Sequence, residues 1–473
     1  MKSLDGYIQA IILLILVIST VKGAPTVQAD VVVEEIRGGV PAKYDNYIID
    51  GPLNLNELKK INKTLHFNST IFNGTVNSEG AIFNGDAYFK GAKFNEDANF
   101  EGAQFNKDAC FGGSVFKRNA IYRKSQFNSI TDFTGSQFGC SAIFIGTQFN
   151  RLAEFPRSRF EGFVQFTESR FNSHVDFYNS SFANYADFKG SQFNSSVYFV
   201  ESLFNGSANF NGSLFNGSAD FIRTQFNSSA SFEKSNFRDL AYFSDATFLS
   251  DAVFNNCRFK EDALFEDADI KDKLYLKRTK YNNLYIRWNN ITKLAYEDTA
   301  YLSLMENFKK LGYFKDYDDC YYAYRVEHRD QSRLRMGSWE RYVDMFLQYS
   351  YGYGKKPIRP LIWSMISAFC FCIIWTVAYW EKERREIQVD EIFLLAQYKN
   401  RGMEDVLFLI PQALIFSITV FLSGAKLFVD PPKIPEISGV PNIIINIIFN
   451  FERLLGALFS ILFFLALGET ILR

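Results

Sequence analysis

Asparagine followed two residues later by serine or threonine is the most frequent chemistry-bearing pattern in the chain. Asn62, Asn68, Asn73, Asn179, Asn194, Asn205, Asn211, Asn216, Asn227 and Asn290 all open such tripeptides. In an exported protein each is a candidate N-glycan acceptor. Turns built from Asn, Gly and Ser produce the same tripeptide by composition alone, so the two readings compete. A second pattern lies in an apolar segment. There Phe416, Ser417, Thr419, Ser423 and Gly424 place aromatic, hydroxyl and small residues together within the hydrophobic run. Glu452 and Arg453 are expected at the mouth of the last apolar segment.

Other chemistries find no foothold. His66, His174 and His328 stand far apart, and a lone histidine is more often structural than a ligand. Cys110, Cys140, Cys257, Cys320, Cys370 and Cys372 contain no CxxC pair, which argues against a zinc site or a dense disulfide framework. Asp176, Asp187 and Asp220 recur as solvated surface carboxylates do. With no phosphate loop or nucleophile elbow, we expect no catalytic, cofactor-binding or metal-binding set, and no enzyme.

The element that must position the asparagines is a repeat. Positions 83, 94 and onward to 259, with 89, 100 and onward to 265, make 34 sites, of which 33 hold Phe and one holds Tyr122. Two residues before each stands a small or β-branched residue, such as Ala87, Ser136, Thr147 or Val175. The period is eleven, split five plus six. At about 100° per residue these steps form no helical stripe, and Asn, Gly and Ser are poor helix formers. A single strand fails too, because a five-residue step alternates faces. The chain must turn a corner within each unit, so the pattern predicts a β-solenoid with Phe stacked on Phe. Asn-Gly, Asn-Ser and Glu-Gly supply the turns.

The units A-Y-F-K-G (87–91), A-N-F-E-G (98–102) and A-D-F-K-G (186–190) resemble those of pentapeptide-repeat proteins, while A-K-F-N-E-D (92–97) carries one extra residue. The resemblance implies a right-handed parallel β-helix, here with coils of about 22 residues, in which Phe204 stacks near Phe226 and Phe210 near Phe232. The expected solenoid covers 61–285, after an N-terminal cap at 30–60 that hides the first edge.

The whole chain has 473 residues with 51 basic and 52 acidic side chains, and residues 61–270 hold 18 against 23. That balance gives no electrostatic footprint for nucleic acid. Lys2 and an apolar run from Ile8, ending near Gly23 and Ala24, read as a signal peptide or anchor over 1–24. The solenoid would then be extracytoplasmic.

After the rod, residues 296–358 read as a helical hairpin, similar to one tetratricopeptide unit, with a basic, aromatic juxtamembrane segment suited to lipid headgroups. A membrane domain is expected over 361–473, with helices at about 361–380, 406–428 and 452–471. Its order resembles the pore domain of two-helix potassium-type channels, outer helix, re-entrant pore helix, filter, inner helix, and the resemblance implies Phe416, Ser417, Thr419, Ser423 and Gly424 as a candidate pore segment. The TVGYG-type filter is missing, because Val420, Phe421, Leu422, Ser423, Gly424 and Ala425 follow Thr419. The YGYG at 351–354 precedes the first helix and cannot fill that place. Three full spans are the preferred reading of the topology, with a re-entrant middle segment as the alternative.

Two functions follow. In the first, a non-enzymatic multi-pass membrane protein exposes its solenoid to an unknown protein or envelope partner. In the second, a homotetrameric ion channel or channel-derived pore uses the solenoid for assembly or regulation.

Overall fold

The computed structural model describes residues 23–331, 339–390, 403–425, 430–434 and 441–471. Residues 1–22 of the expected leader, and 426–428 of the expected middle helix, lie outside the described residues. The chain divides into two compact units, 1–316 and 317–473.

The first unit is a parallel β-solenoid of about 12 turns between residues 26 and 294. Phe94 pairs with Phe116 and Phe116 with Phe138, so one coil takes 22 residues. Each coil has four sides, for example Lys93–Phe94, Ala98–Asn99, Gln104–Phe105 and Ala109–Cys110. Phe204 stacks on Phe226 with ring centroids 5.0 Å apart, and Phe210 on Phe232 at 4.8 Å, as the spacing predicts. Across the interior the rings meet edge to face, as Phe210 meets Phe221 at 5.5 Å and 86°. Both geometries are favourable for aromatic quadrupoles, and each ring removes a large apolar area from water.

The split of eleven into five and six is a backbone requirement. A left-handed residue recurs every eleven positions from Ser69 to Arg278, and only some of these are glycine. That turn closes the shorter step. The residue after it is usually Ser or Thr, pointing inward, and its hydroxyl donates to a Phe carbonyl of the preceding coil. Ser114 Oγ reaches Phe89 O at 2.7 Å, Thr147 Oγ1 reaches Tyr122 O at 2.6 Å, and Ser213 Oγ reaches Phe188 O at 2.7 Å. The inward hydroxyl that follows the left-handed corner is thereby satisfied in an apolar interior.

Both ends are closed by helices. Helix α1 (Ala29–Arg37) buries Val32, Val33 and Ile36, and Tyr44 stacks on Phe67. At the other end helix α2 (Asp298–Lys310) buries Leu304, Met305 and Phe308. Its Asn307 accepts from Leu284 N at 3.0 Å and donates to Leu284 O at 2.8 Å. One side-chain amide thus takes the place of the next strand. Helix α3 (Phe314–Gln331) begins in this unit, where Asp316 accepts from Trp288 N and pairs with Arg287. The two helices expected as a hairpin therefore divide between units, because α2 is spent on capping the rod.

The second unit holds the rest of α3, then α4 (Trp339–Tyr351), α5 (Ile358–Asp390), α6 (Met403–Gly424) and α7 (Asn442–Ile471). Helix α7 starts ten residues before the expected 452, because NIIINIIFNF continues the apolar helix. Contacts fix the directions. Ser417 meets Ala368 while Ile410 meets Cys372, so α6 runs antiparallel to α5. Ser417 meets Glu452 while Phe421 lies against Gly456, so α6 runs parallel to α7.

Candidate functional site

The residues with the most unusual environment are three polar side chains, one from each long helix of the second unit. Trp375 on α5, Ser417 on α6 and Glu452 on α7 are all buried. Trp375 Nε1 donates to Glu452 Oε2 at 2.7 Å. Ser417 Oγ lies 2.5 Å from Glu452 Oε1 and 2.8 Å from Ala368 O. Phe416 closes the site, with its ring 5.0 Å from Trp375 and 6.3 Å from Phe449.

Two glycines permit this approach. A Cβ on Gly424 would stand 1.9 Å from Arg453 O, and one on Gly456 would stand 2.0 Å from Phe421 O. Small residues at a crossing let two helix backbones approach closely.

Glu452 is thus inside the bundle, where a mouth position was expected. The reason is the earlier start of α7, which places Glu452 ten residues into the helix. Of the candidate pore residues, Ser417 and Ser423 are buried, and Phe416 and Gly424 pack against neighbouring helices. Thr419 faces outward and returns its hydroxyl to Ile415 O at 2.7 Å. All five are helical, so their carbonyls belong to a helix and not to an extended filter. Trp375 was missed in sequence; its indole nitrogen was the available signal, since buried tryptophan seeks an acceptor.

The cations that precede α5 are also bound within the second unit. Lys356 Nζ meets Asp319 at 2.7 Å, Lys355 Nζ meets Glu469 at 2.5 Å, and Arg359 stacks over Tyr322. Asp344 takes Arg325 at 2.7 Å and the Tyr353 hydroxyl at 2.6 Å. Burial, and then that hydrogen bond, push the Tyr353 phenol up.

On the solenoid the sequence motif hid a second structure. Asn62, Asn84, Asn106, Asn128, Asn150, Asn172, Asn194 and Asn216 recur every 22 residues, and each amide donates to the one before at 2.6–2.8 Å. The candidate glycan acceptors divide accordingly. Asn194, Asn216 and Asn227 commit their side-chain nitrogens to such ladders. Asn73 donates to Asp50, Asn205 accepts from Asn227, and Asn62 accepts from Asn84. Asn68 and Asn211 are followed by Thr70 and Ser213, whose hydroxyls turn inward. Asn179 is exposed at a left-handed corner, and Asn290 ends a short turn at Trp288–Asn290.

The outward carboxylates Asp132, Glu154 and Asp176 stand in register on three coils. Burial, then Asp132 and Asp176, push Glu154 up. Among the described residues no group of three or more His, Cys, Asp or Glu is arranged to hold a metal.

Fold and site together define a parallel β-solenoid joined to a bundle of apolar helices. The solenoid is built of pentapeptide repeats: residues 67–114, 155–203, 199–240 and 232–280 match the family described as "Pentapeptide repeats (9 copies)". No curated protein and no solved structure matches the chain. Among the described residues two helices, Ile358–Trp380 and Asn442–Glu469, are long and apolar enough to cross a membrane, with Leu409–Gly424 a shorter apolar helix.

Proposed function

We propose that the chain is a non-enzymatic membrane protein whose helical bundle is an anchor and whose solenoid is a rigid interaction surface for a protein or envelope partner. One contrast carries this reading. The solenoid buries its repeated phenylalanines and presents ordered polar rows outside, with only scattered exposed apolar side chains such as Phe163 and Leu249. The bundle leaves Met365, Phe369, Ile373, Ile443, Ile447 and Phe451 uncovered. Uncovered apolar helix faces of this extent suit lipid. The leader-like N-terminus puts the solenoid outside the cytoplasm in this proposal. Lys189, exposed on the rod, provides the test. With Cys110 and Cys140 replaced by serine, Lys189→Cys should react with an impermeant maleimide on intact cells, and the chain should resist alkaline extraction from membranes. Labelling only after lysis would overturn the exported arrangement, and release by alkali would overturn the anchor.

A second reading, a channel-derived pore, draws on the helix directions. Helix α6 runs opposite to α5 and parallel to α7. Those directions match an outer helix, a pore helix and an inner helix. A homotetramer with ion flux in reconstituted vesicles would favour this reading; a monomer without flux would eliminate it.

A further inference from the structure

We propose that Glu452 is held as a carboxylic acid, and that its proton is the ligand that closes α5, α6 and α7 around one point. The inference is independent of whether the bundle anchors or conducts.

Hydrogen counting carries it. Glu452 Oε2 receives the Trp375 indole hydrogen at 2.7 Å. On the other side, Ser417 Oγ has two oxygen neighbours, Ala368 O at 2.8 Å and Glu452 Oε1 at 2.5 Å. A hydroxyl brings one hydrogen, and a backbone carbonyl brings none. If the serine hydrogen goes to Ala368 O, the short Oε1···Oγ contact is a hydrogen bond only when Glu452 supplies the proton. As a carboxylate, Glu452 would compete with Ala368 O for one hydrogen. As an acid it satisfies every contact, and its distance to Ser417 lies within the range for O–H···O bonds.

Charge balance points the same way. Within five residues of Trp375 on α5 and of Glu452 on α7, the groups that titrate or carry charge are Cys370, Cys372, Tyr379 and Arg453, with none on α6 between Leu409 and Gly424. Cys372 turns its sulfur to Ile410 O, and the Tyr379 ring packs on Phe416. The Arg453 guanidinium lies over Phe449, 5.8 Å from the ring centre, and its Nε is buried without a partner among the described residues. No ion pair involves Glu452 among the described residues. A fully buried carboxylate without a cation is costly, and a neutral acid with two hydrogen-bond partners is not.

The test uses the full chain, purified in lipid nanodiscs at neutral pH. Infrared difference spectra between wild type and Glu452→Gln should show one protonated-carboxyl band lost in the variant. Glu452→Gln should also keep the thermal midpoint within about 4 °C of wild type, while Glu452→Ala loses more. Absence of a protonated-carboxyl band assignable to Glu452 would overturn the proposal. So would a Glu452→Gln variant as unstable as Glu452→Ala. Should Glu452→Gln fail to fold, Ser417→Ala decides: the wild-type band must move when its hydrogen-bond partner is removed, and an unmoved band defeats the assignment.

Discussion

The side-chain nitrogen of Asn150 donates to Asn128 at 2.6 Å, and its oxygen receives Asn172 at 2.7 Å, one coil further along. An amide is self-complementary, so identical residues stacked at the coil spacing satisfy one another. Asn150→Ala removes two bonds at once. At about 1 kcal/mol each, it should cost roughly 1–2 kcal/mol in denaturant unfolding of the solenoid. Asn62→Ala, at the end of the ladder, should cost about half as much.

Tyr122 is the one departure from Phe in the repeat, and its hydroxyl is buried with no partner among the described residues. Its ring stacks normally, 5.0 Å from Phe100 and 4.9 Å from Phe144. Tyr122→Phe should therefore stabilise the solenoid by about 1–3 kcal/mol, read as a higher denaturation midpoint at unchanged slope. Phe144→Ala in the same column should destabilise by about 3–5 kcal/mol.

Gly456 faces the Phe421 carbonyl so closely that an added methyl group would overlap it. Gly456→Ala should force α6 from α7 at a cost of about 1–3 kcal/mol, measured as a lower thermal midpoint in nanodiscs. Gly468, whose Cβ would meet nothing within 4 Å, is the control, and Gly468→Ala should be neutral or slightly stabilising.

Glu154 is pushed up by burial and then by Asp132 and Asp176. A carboxyl whose proton is held more tightly in the folded state favours folding at pH values below the ordinary carboxylate range. Its contribution then falls as the pH rises through that range, and the loss is complete above the raised value. Glu154→Gln should raise solenoid stability at neutral pH and make no difference in acid, which paired denaturation curves at the two pH values will check.

The solenoid was legible in sequence for a physical reason. A repeated coil has one local solution, so a five–six alternation of Phe leaves nothing for long-range packing to choose. The coil length, the Phe204–Phe226 stack and the polar corners all follow from that alternation. The ladder is written there as well, as asparagine every 22 residues, although three of its eight members, Asn62, Asn194 and Asn216, also open glycan tripeptides.

The helical unit depended on tertiary structure. An apolar segment records that it will be buried or face lipid, not which neighbour it meets or in which direction. The parallel run of α6 and α7, set by Gly424 and Gly456 at their crossing, is a fact about pairs of helices. So is the convergence of Trp375, Ser417 and Glu452, which lie 42 and 35 residues apart in sequence. Asn307 shows the same limit in the solenoid: only the end of the last coil turns a helix asparagine into a substitute strand. Sequence alone determined the repeating core, since each coil meets only copies of itself. Tertiary structure decided where the exceptional polar residues go, because burial and partners at those points come from distant segments.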